Sequence, residues 1–193
     1  MKKIVSLIAS STEILGALGL IEELKGVSHE CDYPPEIIGK PVLTSPKLDI
    51  YKSSREIDEQ VRNLVRDGLS VYKVDNEKLK EIDPDIIITQ DQCEVCAVSL
   101  KDVCESVNAV LDKNVEIVSL KPNYLSDIFM DILTIGKATG TWDKAEKLVF
   151  SLKQRIEDIK EKLSGIDTKP RFIFIEWIEP IMVGANWIPE MVN

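Results

Sequence analysis

The segment PDIIIT at residues 84–89 most constrains how this chain of 193 residues can fold. Its three consecutive isoleucines show no alternation of apolar and polar residues, which is typical of a parallel strand buried on both faces. Similar apolar runs occur at 3–9 (KIVSLIA) and at 115–120 (VEIVSL). Between these runs, apolar residues recur three and four positions apart, which is the spacing of amphipathic helices. This alternation predicts an α/β fold with a parallel sheet.

Capping signals predict several helix boundaries. Ser10 and Glu13 match a capping box with Ser10 as the N-cap residue, and Ser53 and Glu56 match a second one. The longest helical pattern runs from Trp142 to about Leu163, which corresponds to roughly 30 Å of helix. Prolines predict a loop at ECDYPPEI and an irregular path at KPVLTSPKLDIYKSS, whereas residues 171–177 are predicted to form a strand.

The charge of the chain excludes two classes of partner. Lysine and arginine total 24 against 33 aspartate and glutamate residues, a formal net charge of −9. Nucleic acids and anionic membrane surfaces both require a basic face, so neither is expected as a partner. No apolar run is long enough to insert into a membrane.

The first residues share two features with a secretion signal. Two lysines and an apolar stretch fit one, but the polar residues 10–13 interrupt that stretch early, so a strand, a turn and a helix are predicted instead. As written, the chain is expected to be cytoplasmic. If a leader has been removed, an extracytoplasmic or cell-surface location is expected.

Three loops are expected to meet at one edge of the predicted sheet. They are IASSTE after the first strand, SHECDYP after the second, and TQDQCEVCAVS after PDIIIT. Parallel sheets bind ligands at the carboxyl ends of their strands, near the point where strand order reverses. If the first strand lies between the other two, the three loops face one crevice.

The cysteine pair Cys93–Cys96 has three interpretations. It can be a redox pair, although redox cysteines usually stand at the helix cap itself. It can be half of a zinc site, because zinc takes four ligands and the second loop offers two more. It can be the wall of a ligand pocket with mixed polar and apolar lining. The zinc reading uses His29, Cys31, Cys93 and Cys96, and the pocket reading uses Gln90, Gln92, Cys93 and Cys96.

Four segments resemble the metal-chelate class of substrate-binding proteins of ABC importers, and especially its cobalamin-binding branch. They are VSLIASSTEILGALGL, GVSHECDYPPEI, LKEIDPDIIIT and TGTWDKAEKLVFSLKQRI, which together cover nearly the whole chain in order. The resemblance implies a Rossmann-like α/β lobe with a parallel sheet at 1–141, a bridging helix at 142–164, and the start of a second lobe, shorter than in a typical member, at 165–193.

The resemblance also implies roles for particular residues. Glu77 stands where the family has an acidic residue that docks on arginines of the membrane permease. A cobalamin-binding relative has an aromatic residue at the position of Gln90, so the ligand is left open between a cobalamin-like molecule and another metal chelate, such as an iron chelate. The residues expected to contact that ligand are Ser11, Thr12, Glu13, Tyr33, Gln90, Gln92, Cys93, Cys96 and Trp187.

Three functions are therefore carried forward. The first is capture of a small-molecule metal chelate for an ABC permease, and the second is an intracellular metal or thiol protein that uses the His/Cys set. The third is a half-protein that needs a second lobe to bind anything. An enzyme is not expected, because His29 is the only histidine and no Gly-rich phosphate loop is present. Trp177 and Trp187 would be apolar surface in a shortened chain, so a homodimer is also expected.

Overall fold

The computed structural model describes residues 2–92, 95, 97–166, 168 and 170–192. The chain divides into two compact units, Met1–Lys121 and Pro122–Asn193. This division falls before the predicted lobe boundary at 141, and it groups the two helices on either side of that boundary in one unit. The lobe boundaries at residues 141 and 164, which the family resemblance implies, stay a prediction.

The first unit alternates short strands with helices. Its described residues form four parallel-sheet strands, a two-stranded antiparallel ribbon and four α-helices. In chain order these are β1 (Ile4–Ser6), α1 (Ala9–Ala17), β2 (Leu24–Val27), a short 3₁₀ helix (Pro35–Ile37), β3 (Thr44–Pro46), α2 (Ser54–Arg66), β4 (Tyr72–Val74), α3 (Asn76–Ile82), β5 (Ile86–Gln90), α4 (Leu100–Val110) and β6 (Glu116–Leu120).

The central sheet has the strand order β2-β1-β5-β6, and all of its pairs are parallel. All five residues of β5 are buried, as the continuous apolar run predicts. One face of the sheet packs Val5 and Ile87 against Leu79 of α3 and against Val103 and Val107 of α4. The predicted α/β class with a parallel sheet is confirmed.

Two local predictions are wrong. Ser10 does not cap α1, because the helix begins at Ala9 and extended backbone at Ile8 places the N-cap there, without a side-chain cap. The segment predicted to be irregular contains β3, which pairs antiparallel with β4. A two-stranded ribbon tolerates Pro46 at the end of a short strand, so proline there did not prevent pairing.

The second predicted capping box is confirmed. The Ser53 side chain accepts a hydrogen bond from the Glu56 backbone N–H, and the Glu56 carboxylate accepts one from the Ser53 backbone N–H. These reciprocal bonds satisfy two donors that a helix start otherwise leaves unpaired. They explain why α2 begins at Ser54.

An ionic cluster joins the amino ends of β1 and β5. The Asp85 carboxylate accepts hydrogen bonds from the Lys3 backbone N–H at 2.8 Å and from Lys113 Nζ at 2.9 Å. Lys113 Nζ also donates to the Asp83 carbonyl oxygen at 3.0 Å. These interactions, first of all the Lys3 backbone hydrogen bond, lower the pKa of Asp85.

The second unit consists of a helix pair followed by a short ribbon. Its elements are α5 (Leu125–Thr139), α6 (Trp142–Leu163), β7 (Ile175–Trp177), β8 (Met182–Val183) and α7 (Ile188–Val192). The predicted long helix is confirmed, but the strand predicted over 171–177 is limited to Ile175–Trp177. Among the described residues, no helix combines the length and the apolar character needed to cross a bilayer.

We expect Gly136→Ala to destabilise the protein. A Cβ at Gly136 would lie 2.4 Å from Ala145 Cβ, where α5 packs on α6. Overpacking of this kind costs about 1–3 kcal/mol, whereas Gly→Ala in an open helix position is stabilising by roughly 1 kcal/mol. Urea denaturation measures whether Gly136→Ala lowers or raises the free energy of unfolding. Gly165→Ala, in the turn after α6, adds a Cβ that meets no atom within 4 Å and is the control for a glycine without a packing contact. An unchanged or higher free energy of unfolding in Gly136→Ala would refute the packing argument.

We also expect the contribution of Asp85 to stability to vanish in acid. Because its pKa is lower in the folded than in the unfolded chain, the stabilisation is present above the unfolded value of about 3.9 and is lost as pH falls through the folded value. The difference in free energy of unfolding between wild type and Asp85→Asn should therefore be largest above about pH 5. The exposed Asp112→Asn is the control. If the difference in free energy of unfolding between wild type and Asp85→Asn grew as pH falls, the lowered pKa of Asp85 would be contradicted.

Candidate functional site

The candidate site lies at the carboxyl edge of the central sheet. Because β1 pairs with both β2 and β5, the three loops that follow these strands leave the sheet at the same edge. This confirms the strand order on which the predicted crevice depends. Cys93 and Cys96, in the third loop, lie outside the described residues, so the redox, zinc and pocket readings of that pair stay predictions.

A chain of hydrogen bonds links the end of β1 to α1 and to the second loop. Thr12 Oγ1 donates to Ser6 Oγ at 2.7 Å, and Ser6 Oγ donates to the Ile8 carbonyl oxygen at 3.1 Å. Since Thr12 uses its only hydroxyl proton on Ser6, the Cys31 thiol, 3.1 Å from Thr12 Oγ1, acts as the donor to Thr12. Ser11 Oγ completes the cluster, because it lies within hydrogen-bond distance of both Ser6 Oγ and the Ile8 carbonyl oxygen and can donate its one proton to either.

A second polar cluster fixes the start of the loop after β2. Thr44 Oγ1 on β3 donates to Ser28 Oγ at 3.0 Å and accepts the His29 backbone N–H at 3.1 Å. His29 Nδ1 lies 2.7 Å from the same Thr44 oxygen, and the imidazole ring packs against the Tyr72 ring with centroids 5.2 Å apart. The buried Thr44 hydroxyl thus anchors this loop to the β3–β4 ribbon.

The other ring nitrogen of His29 has an acidic neighbour. Nε2 lies 3.0 Å from Glu30 Oε1, but among the described residues it makes no hydrogen bond to Glu30 or to any other group. Only a protonated imidazole makes this contact an ion pair, and Glu30 itself is exposed.

His29 and Cys31 are directed towards different elements. His29 contacts β3 and β4, whereas Cys31 contacts α1. Burial raises the pKa of the Cys31 thiol. A neutral thiol is neither a nucleophile nor a metal ligand. Among the described residues no three His, Cys, Asp or Glu side chains are grouped to hold a metal ion.

The predicted ligand residues of the first two loops differ in exposure. Ser11 and Thr12 are fully buried, with their hydroxyls engaged in the cluster around Ser6. Glu13 is exposed, and Tyr33 is 57% exposed. The first two residues can therefore support the loops from beneath, while Glu13 and Tyr33 are accessible to a solute.

The remaining predicted residues occupy separate places. Gln90 ends β5 and is 4% exposed, and Gln92 is half-buried two residues later. Glu77 is exposed in the first turn of α3, where Asp75 caps the helix. Trp187 is half-buried in the second unit, just before α7. The ligand and docking roles of these residues stay predictions.

Ser6, Ser28 and Thr44 were not identified from the sequence, although all three are buried polar residues of the clusters described above. Ser6 and Ser28 could have been predicted from the sequence, because they are small hydroxyl residues at the carboxyl ends of apolar strands. Thr44 had no such signal, because its segment was interpreted as irregular.

Comparison with known proteins identifies relatives along nearly the whole chain. A family model described as "Periplasmic binding protein" matches residues 4–192. The uncharacterized ABC transporter substrate-binding lipoprotein YvrC of Bacillus subtilis (strain 168) is 28% identical over 177 residues, which is 91% of this chain and 46% of the relative. The chain thus spans about half the length of this curated relative.

Solved structures share the fold at lower identity. A possible iron-binding, periplasmic solute-binding protein of Staphylococcus epidermidis matches 93% of this chain and 58% of its own, with a TM-score of 0.66 and 22% identity. The vitamin B12 binding protein BtuF of Vibrio cholerae matches 94% of this chain and 58% of its own, with a TM-score of 0.65 and 18% identity. The heme-binding protein RhuT of Roseiflexus sp. RS-1 has a TM-score of 0.61 and 21% identity, over 90% of this chain and 54% of its own.

We expect Ser6→Ala to destabilise the protein by about 1–3 kcal/mol, because it removes the closest acceptor of the buried Thr12 hydroxyl, at 2.7 Å, and leaves only the Ile8 carbonyl oxygen at 3.5 Å. Ser10→Ala should change the free energy of unfolding by less than about 0.5 kcal/mol, since Ser10 is exposed and does not cap α1. Chemical denaturation of both variants measures the two values. Equal changes in the free energy of unfolding for Ser6→Ala and Ser10→Ala would show that the hydrogen bonds of Ser6 do not stabilise the fold.

Proposed function

Because the chain belongs to the periplasmic binding protein family, we propose that it captures a small-molecule solute for an ABC importer. The observation that carries this proposal is the exposed Tyr33 ring on a loop that hydrogen bonds fix at the carboxyl edge of the sheet. In parallel α/β sheets this edge is where ligands bind. The proposal involves binding and release of the solute, with no covalent bond made or broken.

A metal chelate, either a cobalamin-like molecule or an iron chelate such as heme, is the proposed class of solute. Relatives whose structures share the fold are described as binding iron, heme or vitamin B12. An exposed tyrosine offers a flat apolar ring with a polar tip, which suits a large conjugated ligand. In the first two loops the accessible residues Glu13 and Tyr33 are proposed to contact the solute, whereas the buried Ser11 and Thr12 are proposed to support the loops from beneath. The other residues expected from the sequence keep their proposed ligand role.

The proposed protein partner is the ABC permease, with Glu77 as a docking residue. Glu77 is exposed on α3, and a carboxylate there can form a bidentate, charge-assisted hydrogen bond with an arginine. The Bacillus relative is a lipoprotein, which supports an extracytoplasmic location and does not support the cytoplasmic location expected from the sequence. Docking at Glu77 and the location are both part of the proposal.

A homodimer also stays within the proposal. Trp177 and Trp187, on which this expectation rested, are half-buried, but neighbouring apolar side chains of the second unit are exposed. They include Phe172, Ile173, Ile175, Ile178 and Ile181, each more than half exposed. An apolar surface of this kind favours association.

Titration of the purified chain with cyanocobalamin and with hemin tests the proposed solute class. We expect saturable quenching of tryptophan fluorescence and a calorimetric signal with at least one of them. Tyr33→Ala should weaken that affinity by about tenfold or more, as expected for loss of an aromatic contact worth roughly 1.5 kcal/mol. Tyr51→Ala, at a tyrosine that is 93% exposed, is the matched control and should leave the affinity unchanged.

Two results would count against this proposal. Equal weakening by Tyr33→Ala and Tyr51→Ala would remove Tyr33 from the binding site. If wild type binds neither probe, the metal-chelate class is contradicted for this chain and the half-protein interpretation is favoured.

A further inference from the structure

Helix α1 contacts the loop that carries Tyr33 at two points. Thr12 Oγ1 lies 3.1 Å from Cys31 Sγ. Four residues later, the backbone of Gly16 lies against the Pro34 ring, where an added Cβ would be 2.9 Å from Pro34 Cγ and 3.2 Å from Pro34 Cδ. Only a residue without a side chain permits this approach of loop and helix.

The spacing of the two contacts gives them a common geometry. Residues four apart lie on the same face of a helix, so Thr12 and Gly16 form one contact surface on α1, about one turn long, against which the loop packs. We call this surface the seat of the loop. Cys31 and Pro34 are both half-buried, whereas Tyr33, which lies between them in the sequence, is 57% exposed. The loop therefore keeps two side chains close to α1 and presents the third to solvent.

Both sides of this seat are themselves held in place. Thr12 donates to Ser6 on β1, so its hydroxyl is fixed relative to the central sheet. Earlier in the loop, the Cys31 backbone N–H donates to the Ser28 carbonyl oxygen at 3.1 Å, and Ser28 is held by Thr44. The loop is thus connected to β1 through α1 and to β3 through Ser28.

We propose that Thr12 and Gly16 are positioning residues, which hold the loop from Cys31 to Pro34 against α1 and thereby fix the Tyr33 ring for the solute. The expected effect on solute affinity rests on the proposed function, whereas the packing of the loop on α1 is independent of any ligand. A loop that is ordered before binding loses less conformational entropy when the solute arrives. Thr12 and Gly16 thus affect affinity without touching the solute.

The ligand-free test measures how fast Cys31 is alkylated by iodoacetamide, with the modified peptide quantified by mass spectrometry. In wild type the thiol is shielded by the seat and kept neutral by burial, so alkylation should be slow. Gly16→Ala should push Pro34 away from α1 and raise the rate about threefold to tenfold, and Thr12→Val should do the same by removing a hydrogen bond. Thr12→Ser retains the hydroxyl and should restore the wild-type rate.

A matched control separates local opening from general loss of stability. Gly136→Ala introduces a comparable steric clash in the second unit, and Cys104 on α4 serves as a reference thiol in every sample. The positioning role predicts faster alkylation of Cys31 alone in Gly16→Ala and Thr12→Val. If Gly136→Ala accelerates Cys31 as much as Gly16→Ala does, or if Cys104 accelerates equally, the proposal is overturned.

The second measurement links the seat to affinity. For whichever of cyanocobalamin and hemin binds to wild type, Gly16→Ala should raise Kd about threefold to tenfold when Tyr33 is present. In a Tyr33→Ala background, the same substitution should have no further effect. Independent, additive effects would contradict positioning of Tyr33. If wild type binds neither probe, the proposed solute class fails, while Cys31 alkylation still decides whether the seat exists.

Discussion

The parallel pairing of β1 with both β2 and β5 is the constraint on which the candidate site depends. A strand of three fully buried residues can occupy this central place only if both of its hydrogen-bonding edges are satisfied by neighbours. The pairing then brings the ends of three strands to one edge of the sheet. Had β1 been an edge strand, the loops after β2 and β5 would not flank the start of α1.

This central position also buries small hydroxyl groups. Ser6, Ser11 and Thr12 are fully buried, and a buried hydroxyl without a partner costs about 1–3 kcal/mol. The hydrogen bonds from the Cys31 thiol through Thr12 and Ser6 to the Ile8 carbonyl remove that cost. The same bonds attach a surface loop to the centre of the sheet, so satisfaction of buried polar groups and positioning of Tyr33 have one physical origin.

Predictions from the sequence were most accurate where the pattern is local. The continuous apolar run of β5, the capping box at Ser53 and the long helix from Trp142 to Leu163 each depend on residues close together in the chain, and each is present. The capping box predicted at Ser10 does not form, because α1 begins at Ala9 and Ile8 is its N-cap residue. The ribbon strand β3 was missed because its pairing partner, β4, lies far along the chain.

The sequence by itself determined the fold class, the alternation of sheet strands and helices and the three loops that follow the apolar strands, since hydrophobic periodicity and strand alternation are carried by neighbouring residues. That these loops leave one edge of the sheet depends on the strand order β2-β1-β5, which the structure provides. Only the tertiary structure decided which side chains of those loops face inward. Ser11, Thr12 and Tyr33 were equal candidates from the sequence, yet the first two are buried and the third is exposed. The reason is that the exposure of a side chain depends on contacts between separate elements, such as that of Thr12 on α1 with Cys31 in the loop after β2, and no local pattern encodes such contacts.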